Sequence, residues 1–140
     1  MVMRAVWKSF AIGLTCGLRS MTGPAVVRWR ASDPARLALA ALAVGELIAD
    51  KLPATPSRTI PPALAFRALS GAFSGRTVAA AAGGDRSAGT FAGAIGAVAA
   101  AYAGMALRAR IVRASGLPDA FVALGEDAVA VGGAIAASAP

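Results

Sequence analysis

Two acidic pairs and a few arginines, all set in apolar surroundings, are the residues of this chain whose types and spacing have chemistry to do. In Gly45-Glu46-Leu47-Ile48-Ala49-Asp50-Lys51-Leu52-Pro53 the two acids are four apart. On a helix both carboxylates then lie on one face, a turn apart, with Lys51 beside them and Pro53 ending the element. A second pair, Glu126-Asp127, stands near the other end, and Arg19, Arg67 and Arg76 also interrupt apolar stretches. A charge inside a membrane segment costs roughly 2.5 to 3.5 kcal/mol on insertion scales, so such residues pair with one another or line a functional path. Two uses follow. Either the charges are ion pairs that lock a helix bundle, or Arg19, Ser20, Thr22, Glu46, Asp50, Lys51, Arg67, Arg76, Glu126 and Asp127 line a path for a small ion or solute. Four interior acids against three interior arginines leave a spare carboxylate, which suits a cation or a proton. Arg19, beside the hydroxyls of Ser20 and Thr22, suits a small anion or an anionic headgroup equally. The chain has no His, no nucleophile motif and no regularly spaced acidic cluster, so no catalytic residue, metal site or cofactor is expected and the chain is not read as an enzyme.

Composition says what surrounds these charges. Of 140 residues, 57% are hydrophobic and 15% charged, with a mean hydropathy of +0.65. A water-facing surface needs roughly 25 to 35% charged residues, so lipid is expected to face much of this chain. The net charge of +7 would prompt a nucleic-acid hypothesis in a soluble protein. Here the basic residues gather at segment ends, as Arg4 and Lys8, then Arg28, Arg30 and Arg36, then Arg108, Arg110 and Arg113, where lipid headgroups account for them. No nucleic-acid partner is expected. The single cysteine, Cys16, excludes an internal disulfide and reads as inert packing.

The elements that must position the charges are expected to be all helical, about five membrane segments in one domain spanning 1–140. The first runs from about Val6 to Trp29, kinked or broken between Arg19 and Pro24, and is retained rather than cleaved. After Asp33-Pro34, read as cap and first helical position, the second runs from Ala35 to Leu52. The proline-rich link from Pro53 to Pro62 reads as extended and semi-rigid. The third, Ala63 to Ala82, carries Gly71 and Gly75 as a close-packing face and places Arg67 and Arg76 on opposite sides, one toward the interior and one toward headgroups. A turn at Gly83 to Arg86 precedes the fourth, Ser87 to Leu107. In this segment Gly89 and Gly93 repeat the small-residue spacing, and Tyr102 belts an interface or bonds internally. After Gly116-Leu117-Pro118-Asp119 the fifth runs from Ala120 to Ala137. Glu126 and Asp127 point about a hundred degrees apart on a helix, so both face inward only if the polar face is wide or the segment unwinds.

Sliding the chain by eighty residues aligns Gly13 with Gly93, Arg28 with Arg108, Arg30 with Arg110, Gly45 with Gly125 and Glu46 with Glu126. With one segment between the two halves, this predicts an inverted repeat that sets Glu46 and Glu126 at related depths.

At Gly17-Leu18-Arg19-Ser20-Met21-Thr22-Gly23-Pro24-Ala25, at Gly45 to Pro53, at Pro56-Ser57-Arg58-Thr59, at Ser70-Gly71-Ala72 and at Glu126-Asp127-Ala128, nearly the whole chain resembles the short members of the bacterial membrane family called domain of unknown function 4126. The resemblance implies a multi-pass protein of the bacterial cytoplasmic (inner) membrane and no particular activity. Where longer relatives place further acids after the Asp-Lys-x-Pro motif, this chain has Thr55, Ser57 and Thr59, so no shared cation site carries over. The expectation is a small transporter or channel, associated with the lipid bilayer as a homo-oligomer. The alternative is a structural or assembly protein whose ion pairs only hold the bundle together. Basic residues give a weak orientation signal, with the N-terminus inside.

Overall fold

The computed structural model describes residues 2–52 and 57–140. They form six helices and, among the described residues, no strand: α1 (Val2–Leu18), α2 (Thr22–Arg30), α3 (Arg36–Ala49), α4 (Pro61–Ala81), α5 (Arg86–Ser115) and α6 (Asp119–Ala137). The expected break falls at Arg19 to Met21, and it is a full reversal rather than a kink. Pro24, inside the first turn of α2, has no N–H where a helix has no internal partner for one. Gly23 lets α2 fold back against α1, since a Cβ there would overlap Cys16 Sγ and meet Ser74 Oγ at 2.9 Å.

Among the described residues only α5 and α6 are long and apolar enough to cross a membrane, rather than about five segments. α1, α2 and α3 have 17, 9 and 14 residues, short of the roughly 20 that span hydrocarbon. α4 has 21, but Arg67, Arg76, Ser70, Ser74 and Thr77 dilute its apolar character.

Local signals set the other boundaries. Asp33 Oδ1 accepts the Ala35 N–H at 2.8 Å, and α3 begins at Arg36 with Ala35 as its cap, so Asp33-Pro34 forms the turn before the helix rather than its first residues. Of the proline-rich link, residues 53–56 lie outside the described residues, and Pro61 and Pro62 are the first residues of α4. Asp85 caps α5 by accepting the Ser87 N–H at 2.8 Å. α5 runs eight residues beyond Leu107, to Ser115, and ends on Gly116, whose φ of 67° is left-handed.

The core is a close contact of α1, α4 and α5 built on glycine. A Cβ on Gly93 would overlap the Gly71 carbonyl oxygen and come within 3.0 Å of Gly75 Cα. Gly13 meets Gly93, Gly17 meets Ala97, and Ser9 Oγ would lie 3.1 Å from a Cβ on Gly89. These pairs keep the offset of eighty, so α1 and α5 lie side by side and parallel. The inverted repeat is thereby corrected. The reversal at Arg19 makes a sixth helix, so four turns rather than three separate α1 from α5, and the two point the same way. Ser9 Oγ also donates to the Gly75 carbonyl at 2.9 Å, with Arg67 at the level of Gly17, so α4 runs antiparallel to both. Ile12, Val27, Val78 and Ala134 fill the space between α1, α2, α4 and α6. Cys16 is buried, with its Sγ 3.6 Å from Ser74 Oγ, while Tyr102 is half exposed. α3 buries no residue fully.

Candidate functional site

The reversal between α1 and α2 strands backbone groups inside the molecule: carbonyls at the end of α1 and N–H groups at the start of α2. The charged residues meet there. The Glu46 carboxylate accepts the Ser20 N–H and hydroxyl on Oε1, at 2.7 and 2.6 Å, and the Met21 N–H on Oε2 at 2.7 Å. A carboxylate from α3 thus closes the N-terminus of α2, where the helix dipole favours negative charge. The end of α1 receives cations. Arg67 Nη1 donates to the Gly17 carbonyl at 3.0 Å and Arg19 Nη1 to that of Leu18 at 2.8 Å.

Arg19 is the hub. It is fully buried (0% exposed), with Nη1 2.9 Å from Asp50 Oδ2, Nε and Nη2 each 2.6 Å from Asp127 Oδ1, and Nη2 3.9 Å from Glu126 Oε2. Lys51 Nζ donates to the other Asp127 oxygen at 2.6 Å and to the Leu47 carbonyl at 3.0 Å. Asp50 and Lys51 follow α3, so the spacing that puts Glu46 and Asp50 on one face brings α3 to both sides of the break. Glu126 turns the other way on α6. It pairs with Arg58, which stands before α4, and lies 3.4 Å from Arg108 Nη1 on α5. Arg108 also pairs with Asp119. α6 stays helical through both acids, and both side chains are nearly buried and reach Arg19, so of the two expected arrangements it is the wide polar face that holds. Gly104 makes room for them, since a Cβ there would lie 3.3 Å from Glu126 Oε1 and 3.4 Å from Arg58 Nη1.

Of the residues singled out from sequence, Arg19, Ser20, Glu46, Asp50, Lys51, Arg67, Glu126 and Asp127 come together. Thr22 is buried next to them, but its hydroxyl makes no bond with the network among the described residues. Arg76 does not belong to the path: it is exposed and lies nine residues along α4 from Arg67, about 13 Å at 1.5 Å per residue. Arg58, Arg108 and Asp119 join, unforeseen because they read as part of the proline-rich link, a headgroup anchor and a turn. The expected spare carboxylate is corrected as well. Arg19, Lys51, Arg58, Arg67 and Arg108 balance Glu46, Asp50, Asp119, Glu126 and Asp127.

Beside the network opens a polar pocket of about 270 Å³, lined by Asp50, Arg58, Arg67, Arg108 and Asp119 with Leu52, Ser57 and Met105. A larger pocket of about 410 Å³ lies at the opposite end, against Val27, Val78 and Ala81. Its two cations serve the end of α6, Lys8 donating to the Ala139 carbonyl and Arg30 to Ser138 Oγ and the Ile135 carbonyl, so the charged chemistry belongs to the smaller one. Among the described residues no group of three His, Cys or carboxylate side chains is placed to hold a metal ion.

No protein-family model, curated protein or solved structure matches the chain.

Proposed function

We propose that this chain is a small integral membrane transporter or channel, with the pocket beside the Arg19 network as its site for a small ion or solute. The observation that carries the reading is a pocket walled by five charged side chains in a molecule that exposes many large apolar side chains. Leu37, Leu42, Val44 and Ile48 of α3, Phe91 and Ile95 of α5, and Phe121, Leu124 and Val129 of α6 are all exposed, a surface suited to lipid. On this reading α5 and α6 cross the bilayer, the other helices pack with them as a multi-pass unit, and the membrane is the bacterial inner membrane that the motif resemblance implies. Gly45, Gly125 and Gly132 have nothing within 4 Å of a Cβ position, which leaves small-residue faces for a second copy in a homo-oligomer.

One observation favours the rival reading, a structural protein held by its ion pairs. Arg19 is fully enclosed and spent on Asp50, Asp127 and the Leu18 carbonyl. The pocket separates the two readings, because a pure lock has no use for charged walls around an open space.

The test is thermal unfolding of the purified protein in detergent with cations, anions and neutral solutes, followed by flux of any stabilising solute into proteoliposomes. A solute bound only by the folded state raises the melting temperature by mass action. At least one class is expected to do so, and to cross the membrane at a rate reduced at least tenfold by Arg108→Gln at the rim. If no solute shifts the melting temperature and none crosses, the chain is a scaffold.

A further inference from the structure

The five cations and five carboxylates of the network balance in number but not in geometry. Asp119 holds Arg108, Glu126 holds Arg58, Asp50 and Asp127 hold Arg19, and Lys51 completes Asp127. Glu46 is spent on the Ser20 and Met21 N–H groups and comes no nearer to Arg67 than 3.8 Å. Arg67 is left with one good bond, to the Gly17 carbonyl, although it is only 6% exposed. Its buried Nε has no partner among the described residues. A guanidinium held this far from water, with Nε unmet and its nearest carboxylate 3.8 Å away, keeps part of its desolvation cost, and a negative charge in the pocket beside it offsets that cost.

Arg67 lines the pocket, with Arg58 and Arg108 beside it. We propose that this pocket binds a singly charged oxyanion, a carboxylate, dihydrogen phosphate or phosphodiester group, with Arg67 as its principal ligand and Arg58 and Arg108 flanking it. Three arginines and two aspartates line the space, so one negative charge brings the walls to neutrality while a cation would face a surplus of its own sign. The planar guanidinium offers paired donors at the spacing of two carboxylate or phosphate oxygens. The place fits as well. Residues 88–107 of α5 carry no charge and are long enough to cross about 30 Å of hydrocarbon, so Arg108 stands at the edge of that stretch. There both a dissolved anion and an anionic lipid headgroup can reach it. The inference rests on the reading of the pocket as a solute site and names the class of solute.

The experiment measures the melting temperature of the detergent-purified protein at fixed pH and ionic strength with sodium chloride, acetate or phosphate, and in micelles doped with phosphatidylglycerol or phosphatidylcholine. Phosphate or acetate is expected to raise it over chloride if the source is a dissolved anion. Phosphatidylglycerol alone is expected to raise it over phosphatidylcholine if the source is a headgroup. Arg67→Lys keeps the charge and one donor for the Gly17 carbonyl, so it is expected to fold. Its apparent affinity for the stabilising species should fall about tenfold, and Arg108→Gln should weaken it similarly. Two results overturn the proposal: no oxyanion or anionic lipid stabilising wild type, or stabilisation that survives both variants unchanged. If a cation stabilises instead, the oxyanion assignment falls and the solute pocket stands. If nothing stabilises, both fall together.

Discussion

Arg19 and Glu46 hold opposite ends of one backbone break, and the chemistry of each sets what its loss should do. Replacing Arg19 by Gln leaves Asp50 without its cation and Asp127 with Lys51 alone, and both carboxylates are largely buried. Breaking a buried pair from one side costs about 3 to 5 kcal/mol. Arg19→Gln is therefore expected to lower stability by that amount in detergent unfolding, and a loss below about 1 kcal/mol would show that Arg19 is not the hub. Glu46→Gln acts on fewer groups. The amide oxygen still accepts from Ser20, but the amide nitrogen now faces a donor, so one N–H at the start of α2 goes unmet. The cost is about 1 to 3 kcal/mol, and the same unfolding measurement should rank Glu46→Gln below Arg19→Gln. At this scale the sequence was readable where spacing fixes a face, as for Glu46 with Asp50, or where a charge stands in an apolar run, as for Arg19 and Arg67. Arg58, Arg108 and Asp119 were not, because a charge beside a turn looks the same whether it meets headgroups or the far side of an acid such as Glu126. Arg76 shows the converse, an apolar-run arginine that points outward because α4 carries it half a rotation away from Arg67.

Helix against helix, the glycines separate into two kinds that composition alone does not distinguish. Gly93 lies where α1, α4 and α5 come closest, with the Gly71 carbonyl carbon 2.8 Å from any added Cβ. Backbone cannot yield as a side-chain end can, so Gly93→Ala must push helices apart, at about 1 to 3 kcal/mol. Gly132 has open space around it within one chain, so in the monomer Gly132→Ala should leave stability unchanged or raise it by up to about 1 kcal/mol through helix propensity. A matched pair of melting curves checks both, and equal losses would mean that the three-helix contact does not carry the packing. The Gly71/Gly75 and Gly89/Gly93 spacings pointed to this interface. The direction of α1 relative to α5 was illegible because it depends on whether the chain at Arg19 kinks or reverses. Pro24 and Gly23 permit either outcome, and the reversal depends on Glu46 arriving from α3 to close the freed end, a contact made across 26 residues.

For the whole molecule, the proposed membrane reading turns on whether α5 crosses a bilayer, since Arg108 of the network stands in its far half. Thirty residues at about 1.5 Å each make a helix near 45 Å long, against about 30 Å of hydrocarbon. Its charge-free residues 88–107 match that thickness. On the proposed membrane reading Arg86 emerges on one side, while Arg108, Arg110 and Arg113 emerge on the other, carrying the pocket to the boundary. On the membrane-spanning reading, a membrane-impermeant maleimide is therefore expected to label only one of Arg86→Cys and Ala114→Cys, at exposed positions near the two ends of α5, in sealed spheroplasts, and the other only after the membrane is permeabilised. Cys16, buried against Ser74, should not react in the folded protein and needs no replacement. Labelling of both sites from the same side would mean that α5 does not cross. The exposed apolar side chains of α3, α5 and α6 would then have to be covered by protein rather than lipid, and the pocket would open on a subunit contact instead of a membrane face.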